Sequence, residues 1–204
     1  MNKIFDDNNP LMRSLAIAAD LLLLNLLTLL CSIPVFTVGA ALSALCDVVQ
    51  RILRGEDANT VRAYFHSFKV NLRKGSLIGI IFIVATAVIW LDYRVACLYV
   101  PVMRFAAAAM GVIVLAIALY AFALQARFEN SVGGTLKNAV SLMIAYFPTT
   151  LWMLVCTLAL WIICLRFFMY ALPLLVMFGL SLPAYVCALL YQKIFKELEQ
   201  DTLD

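Results

Sequence analysis

Cys31-Ser32-Ile33-Pro34-Val35-Phe36-Thr37-Val38-Gly39-Ala40 interrupts a stretch that is otherwise apolar from Leu11 to Arg54. Its reading sets the number of membrane crossings and the side on which everything downstream lies. Pro34 lacks a backbone N–H and disfavours helix at Ile33. Thr37 is a residue type that caps a new helix, here one beginning near Gly39. The expectation is two helices, about 11–32 and 38–54, with Pro34, Thr37 and Gly39 in a tight extracytoplasmic turn. One long, kinked span is the alternative. The second helix is short, so it is expected to cross obliquely or only partly.

The rest of the chain repeats this apolar character. Hydrophobic residues make up 65% and charged residues 13%, and the mean hydropathy is +1.00. Soluble domains carry about a quarter charged residues, so much of the usual water-facing surface is missing. A span needs about 20 apolar residues. Further runs at Leu77–Leu91, Phe105–Leu124, Thr149–Leu165 and Phe167–Tyr191 meet or approach that length. The fold class is all-α: a polytopic membrane helix bundle of about six membrane helices plus one interfacial helix, all in a single integral membrane domain. The expected helices are 11–32, 38–54, 59–74, 76–98, 102–127, 135–165 and 167–197. The lipid bilayer is the first partner implied.

Positive charge fixes the expected orientation. Arg51, Arg54, Arg62, Lys69, Arg73 and Lys74 crowd the segment 51–74, which is therefore assigned to the cytoplasm. Alternation then places Asp92–Pro101 outside, Arg127–Lys137 inside, the turn near Arg166 outside and the tail from Lys193 inside. With two helices ahead of Arg51, Lys3 and Arg13 are cytoplasmic as well. Both termini are thus expected inside. The net charge of +3 follows from this topology and gives no reason to expect nucleic acid. Asp6 and Asp7 spoil the basic start of a secretory signal, and Leu30 is too large for the position before a lipidated cysteine, so residues 1–34 are expected in the mature chain.

Within 59–74, Val61, Tyr64, Phe65, Phe68 and Leu72 recur at helical spacing, and Arg62, His66, Lys69 and Arg73 recur on another face. Asn59 is a plausible N-cap. This pattern is expected of an amphipathic helix lying in the membrane interface. Such a helix anchors the chain to anionic lipid or docks a partner. The contact set is Arg62, Tyr64, Phe65, His66, Phe68, Lys69 and Arg73. Ala126–Asn138 occupies a similar position before a second hydrophobic hairpin, and Trp90 and Arg94 resemble Trp161 and Arg166. A repeat of 59–127 in 128–197 is one reading. Chance likeness between apolar sequences accounts for it equally well.

Polar groups inside spans are costly and are candidates for function. Asp20 and Asn25 lie in the first helix and Asp47 in the second. Asp47 precedes Arg51 by one turn, which permits an intrahelical ion pair. Asp20 could accept a hydrogen bond from Thr or Asn, pair with Arg51, or be protonated with a raised pKa. Asn25 suits interhelical adhesion through its amide. Gly75-x-x-x-Gly79 and Ala107-x-x-x-Gly111 are small-residue patterns that allow close helix approach. Pro148, Pro173 and Pro183 are expected to kink or end helices. The chain has one histidine, His66, and six cysteines with no C-x-x-C pair. The cysteines read as small hydrophobes. No metal or cofactor is expected, and H-E-x-x-H and phosphate-loop patterns are absent from the sequence. The expectation is that the protein is not an enzyme. A small secondary transporter or channel using Asp20, Asn25 and Asp47 is the competing reading. No oligomeric state is read from the sequence.

Met1-Asn-Lys-Ile-Phe-Asp-Asp-Asn-Asn-Pro10, Asp20-Leu-Leu-Leu-Leu-Asn25, Cys31-Ser-Ile-Pro-Val-Phe-Thr-Val-Gly-Ala-Ala41 and Tyr64-Phe65-x-Ser67-Phe68-Lys69-x-Asn71-x-x-Lys74 resemble the YesL family of bacterial integral membrane proteins. The resemblance is most specific over residues 1–75. That family has no established enzymatic activity, and its genes often lie beside carbohydrate uptake and degradation systems. The resemblance implies a bacterial plasma membrane of the Gram-positive type. It further implies a link to sugar uptake and transfers no catalytic residue; together with the lack of a stretch long enough for a soluble domain and the amphipathic 59–74 segment, it sets the expectation of an accessory protein of an ATP-binding-cassette sugar uptake system, with transporter subunits as partners.

Overall fold

The computed structural model describes residues 10–56, 59–99, 103–128, 130–166 and 177–201. Those residues are all-α. The helices are α1 (Pro10–Cys31), α2 (Val38–Arg54), α3 (Thr60–Tyr99), α4 (Met103–Arg127), α5 (Val132–Ala145), α6 (Phe147–Arg166) and α7 (Ser181–Asp201), with a short 3₁₀ turn at Val35–Thr37. Ser14–Cys31, Val35–Arg54, Thr60–Val95 and Met103–Arg127 are each long and apolar enough to cross a bilayer. The α5–α6 pair makes a fifth only as a span bent through 99°. The described residues thus hold four or five candidate spans, against the six expected. The start of the expected last helix, 167–176, lies outside the described residues.

The deciding stretch resolves into two helices. Pro34 ends the first, and the chain turns through Val35–Thr37 into α2. Thr37 does not cap α2 with its side chain, contrary to expectation. Its backbone is already helical (φ −92°, ψ −5°), whereas a capping side chain needs an extended backbone to reach the next amides. Thr37 Oγ1 instead turns back, 2.6 Å from Cys31 O and 2.7 Å from Pro34 O. It closes the end of α1 rather than opening α2. Gly55 stops α2 in the left-handed conformation (φ 73°), which glycine adopts without steric cost, and its N–H serves Arg51 O and Ile52 O.

Two of the expected helices, 59–74 and 76–98, are one. α3 runs unbroken for 40 residues, about 60 Å at 1.5 Å per residue. That is about twice the roughly 30 Å hydrocarbon thickness. The change from basic to apolar sequence at Lys74-Gly75 alters the solvent around the helix and supplies no backbone break. The reverse correction applies to 135–165, expected as one helix. Pro148 lacks an N–H and disfavours helix at Phe147, and the chain breaks at Tyr146 into α5 and α6. A 14-residue helix turned 99° from a span lies along the membrane surface when that span crosses. The basic first part of α3, residues 60–74, continues directly into the apolar part of the same helix. The two halves of the candidate repeat differ in this respect, one helix being unbroken and the other broken at Tyr146.

The core is built on α2, whose residues Ala40, Ala41, Ala44, Leu45, Val48 and Val49 are all buried. α2 and α3 touch backbone to backbone. A Cβ placed on Gly39 would run into Gly75 O and come within 2.7 Å of Gly79 Cα. The Gly75-x-x-x-Gly79 pattern is thus the seat of the α2–α3 crossing, with Gly39 in the first turn of α2 as its partner. Gly111 meets only Ile89 of α3, at ordinary contact distance. Pro183 lies in the first turn of α7, where its missing N–H has no helical partner to lose.

Candidate functional site

Where α2 ends, α3 begins and α4 ends, three helices enclose an open cleft of about 640 Å³. Arg51 of α2, His66, Lys69, Arg73 and Lys74 of α3, and Arg127 of α4 line it, with Asp47 as its one carboxylate. Asp47 accepts from Arg51 Nε on both oxygens, at 3.2 and 3.1 Å. Arg127 also stands over the Phe195 ring at 5.6 Å, which ties the cleft to α7.

The floor of the cleft is polar, buried and fixed. Asn71 donates to Ser67 O at 3.1 Å, Gln125 Nε2 donates to Asn71 Oδ1 at 3.2 Å, and Thr135 Oγ1 lies 3.3 Å from Gln125 Oε1. This chain joins α3, α4 and α5. Buried polar groups require such partners, and here the helices supply them to one another. A similar link lies deeper in the bundle, where Gln50 Nε2 donates to Ala123 O at 3.3 Å and sits 3.5 Å from Tyr191 OH.

Helical geometry explains why the expected contact set does not form one surface. The buried face of α3 is Thr60, Tyr64, Ser67, Asn71, Gly75 and Ile78, spaced at three or four residues. Those side chains are mostly small or polar, and they pack on α2 and α4. Tyr64 is completely buried, its hydroxyl 3.5 Å from Ala41 O. It is therefore removed from the docking set. Phe68 is partly buried against the core. Phe65 is 49% exposed, and Arg62, His66, Lys69 and Arg73 are exposed as well. His66, Lys69 and Arg73 face the cleft, while Arg62 and Phe65 lie outside it.

The intramembrane candidates do not converge. Asp20 is half-buried and accepts from Thr60 Oγ1 at 2.7 Å, at the first residue of α3. An acid at a helix N-terminus is favoured by the helix dipole. Asn59 Oδ1 accepts from Arg62 N at 3.3 Å at that same end, as a helix cap does. Asn25 is fully buried, and its Oδ1 accepts from Leu180 N at 2.8 Å and Ser181 N at 3.1 Å. It caps α7 from α1. Neither Asp20 nor Asn25 lines the cationic cleft or the apolar cavity of about 230 Å³ between α2, α4, α6 and α7. Among the described residues no group of three His, Cys, Asp or Glu side chains could hold a metal.

Sequence reasoning missed Ser67, Asn71, Gln125 and Thr135 as a unit. The available signals were the i, i+4 spacing of Ser67 and Asn71 and the lone amide of Gln125 at the end of an apolar run. Gln50 gave a similar signal.

The helices and their apolar lengths define an all-α, multi-pass membrane protein in contact with a lipid bilayer. A family model described as a protein of unknown function, DUF624, matches residues 21–93. That match covers the second half of α1, all of α2 and most of α3, including the α3 wall of the cleft. No curated protein and no solved structure matches the chain.

Proposed function

We propose that this protein is an accessory component of the bacterial plasma membrane that acts by binding a partner and not by turning over a substrate. On the resemblance to the YesL family, the partner is a subunit of an ATP-binding-cassette sugar uptake system, met at the cytoplasmic face. One observation carries the reading most directly. Several polar side chains inside the bundle hold helices together: Asn25 binds α7, Gln50 binds α4, and Asn71, Gln125 and Thr135 bind one another. Exposed recognition chemistry gathers instead on the first part of α3. There Arg62 and Phe65 stand outside the cleft and offer a cation and an aromatic ring, the residue types enriched at binding hot spots.

Photocrosslinking tests the proposal. Reactive groups at Arg62 and Phe65, installed in the full chain in native membranes, are expected to capture a sugar-transporter subunit. Crosslinks that repeatedly join only lipid, while the same groups on a transporter subunit never reach this protein, overturn it.

A further inference from the structure

The cationic cleft holds more like charge than a structural role explains. Asp47 is taken by Arg51. Among the described residues no carboxylate forms an ion pair with Lys69, Arg73 or Lys74. Lys69 and Arg73 stand one turn apart on the same helix face, where like charges repel. Arg51, held by Asp47 and 4.0 Å from Glu56, and Arg127, over the Phe195 ring, border the same opening. An anion seated among them converts this repulsion into attraction. Guanidinium forks fit phosphate oxygens in particular.

Two further features give the anion its form. The buried Ser67, Asn71 and Gln125 make the floor rigid and hydrogen-bonded, so the cations stand on a built surface. Immediately along the same helix, Leu72, Leu77, Ile80, Ile81 and Val84 are exposed and apolar. A headgroup in the cleft would thus have its acyl chains beside a matching wall. Basic pockets between membrane helices at the interface are suited to anionic headgroups, and about 640 Å³ falls within the usual range for small-ligand sites.

We propose that the cleft between α2, α3 and α4 binds the phosphate group of one anionic phospholipid, with its tails along the exposed apolar face of α3. This site is separate from the Arg62–Phe65 surface and stands whether or not a protein partner docks there.

The test is lipid binding to the purified full-length protein, read by native mass spectrometry. The probes are phosphatidylglycerol, phosphatidylcholine of the same chain length, and inorganic phosphate. One phosphatidylglycerol is expected to be retained in preference to phosphatidylcholine. Each cation near an anionic headgroup contributes about fivefold in affinity. The double variant K69Q/R73Q should therefore weaken phosphatidylglycerol binding by about 25-fold. R62Q, a charge change of the same kind outside the cleft, should leave it within twofold. Equal losses in R62Q and in K69Q or R73Q alone would mean diffuse attraction and overturn the proposal. Saturable binding of inorganic phosphate without preference for the anionic lipid would also overturn the lipid assignment, because the occupant would then be a soluble phosphate. A thermal melt of each variant, matched to the parent, confirms that loss of binding is not loss of fold.

Discussion

Replacing Gly39 by alanine should loosen the bundle at its tightest point. A single methyl group there meets the Gly75 carbonyl and comes within 2.7 Å of both Gly79 Cα and Gly79 N. These are backbone atoms of a helix, so no side chain can swing aside. Carbon atoms rest at about 3.5–4.0 Å, and α2 and α3 must therefore separate by about 1 Å along their contact. Overpacking of this kind costs about 1–3 kcal/mol, and the rigidity of both partners puts Gly39→Ala at the upper end. Alanine returns up to about 1 kcal/mol through its better helix propensity. The net loss is about 2 kcal/mol, or a fall in Tm of about 4–8 °C for a chain of this size. Gly133→Ala is the control, since nothing lies within 4 Å of a Cβ at that helical position. It should melt at or slightly above the parent. Unfolding is read in detergent by a thiol-reactive dye, with the buried Cys187 as a native reporter. If Gly39→Ala melts within 1 °C of both the parent and Gly133→Ala, α2 and α3 do not meet as described.

Asn25→Leu removes the acceptor of the Leu180 and Ser181 amides. Stranding a buried donor costs about 1–3 kcal/mol, so hydrogen exchange at Leu180 and Ser181 should accelerate more than tenfold while α3 stays protected. Asp20→Asn keeps an acceptor for Thr60 and should melt within about 1 °C of the parent, whereas Thr60→Val should lose about 1–2 kcal/mol because it removes the hydroxyl that donates to the carboxylate; a large loss in the first variant would show that the charge itself is needed. A double-mutant cycle between Gln125→Leu and Thr135→Val should show coupling of about 1 kcal/mol, and additivity would mean that their contact is not made. Single cysteines at Glu56 and Ser131, in a background without native cysteines, should react with a membrane-impermeant maleimide from one side and a cysteine at Arg94 from the other; labelling of all three from one side would sink the assigned topology.

The sequence made the all-α class plain through apolar length, and the missing N–H of Pro34 pointed to a split there while leaving one long, kinked span as the alternative. The continuity of α3 was not legible, since Lys74-Gly75 marks a change of solvent, and a helix passes through that without breaking. Pro148 pointed to a bend, yet only the packed structure sets it at 99°. Tyr64 shows why the contact set was too broad. Its spacing put it in an apolar stripe with Phe65 and Phe68, but the face of α3 that packs best is the one with Ser67, Asn71 and Gly75. Small residues let α2 and α4 come close, and Tyr64 lies on that same face. The cleft was half visible: Lys69 and Arg73 stood out as charges. Arg127 and Gln125 join them only through the return of α4, a contact across more than fifty residues that periodicity does not carry.

A membrane helix bundle has little hydrophobic gain left to drive helix association, because lipid is as apolar as its neighbours. Its helices must be joined by close backbone approach and by hydrogen bonds. The described residues spend their polar inventory accordingly: Gly39, Gly75 and Gly79 at one crossing, Asn25 at the start of α7, and Asn71, Gln125 and Thr135 across three helices. Asp20 and Asp47, the acids a carrier would need, each have a local partner in Thr60 and Arg51. The cations of the cleft are the exception, since cohesion uses Arg51 and leaves Lys69, Arg73 and Lys74 without a carboxylate among the described residues. Like charges one helical turn apart repel, and an anion among them offsets that repulsion. For that reason the ligand test at the cleft separates more readings of this protein than any mutation of its core.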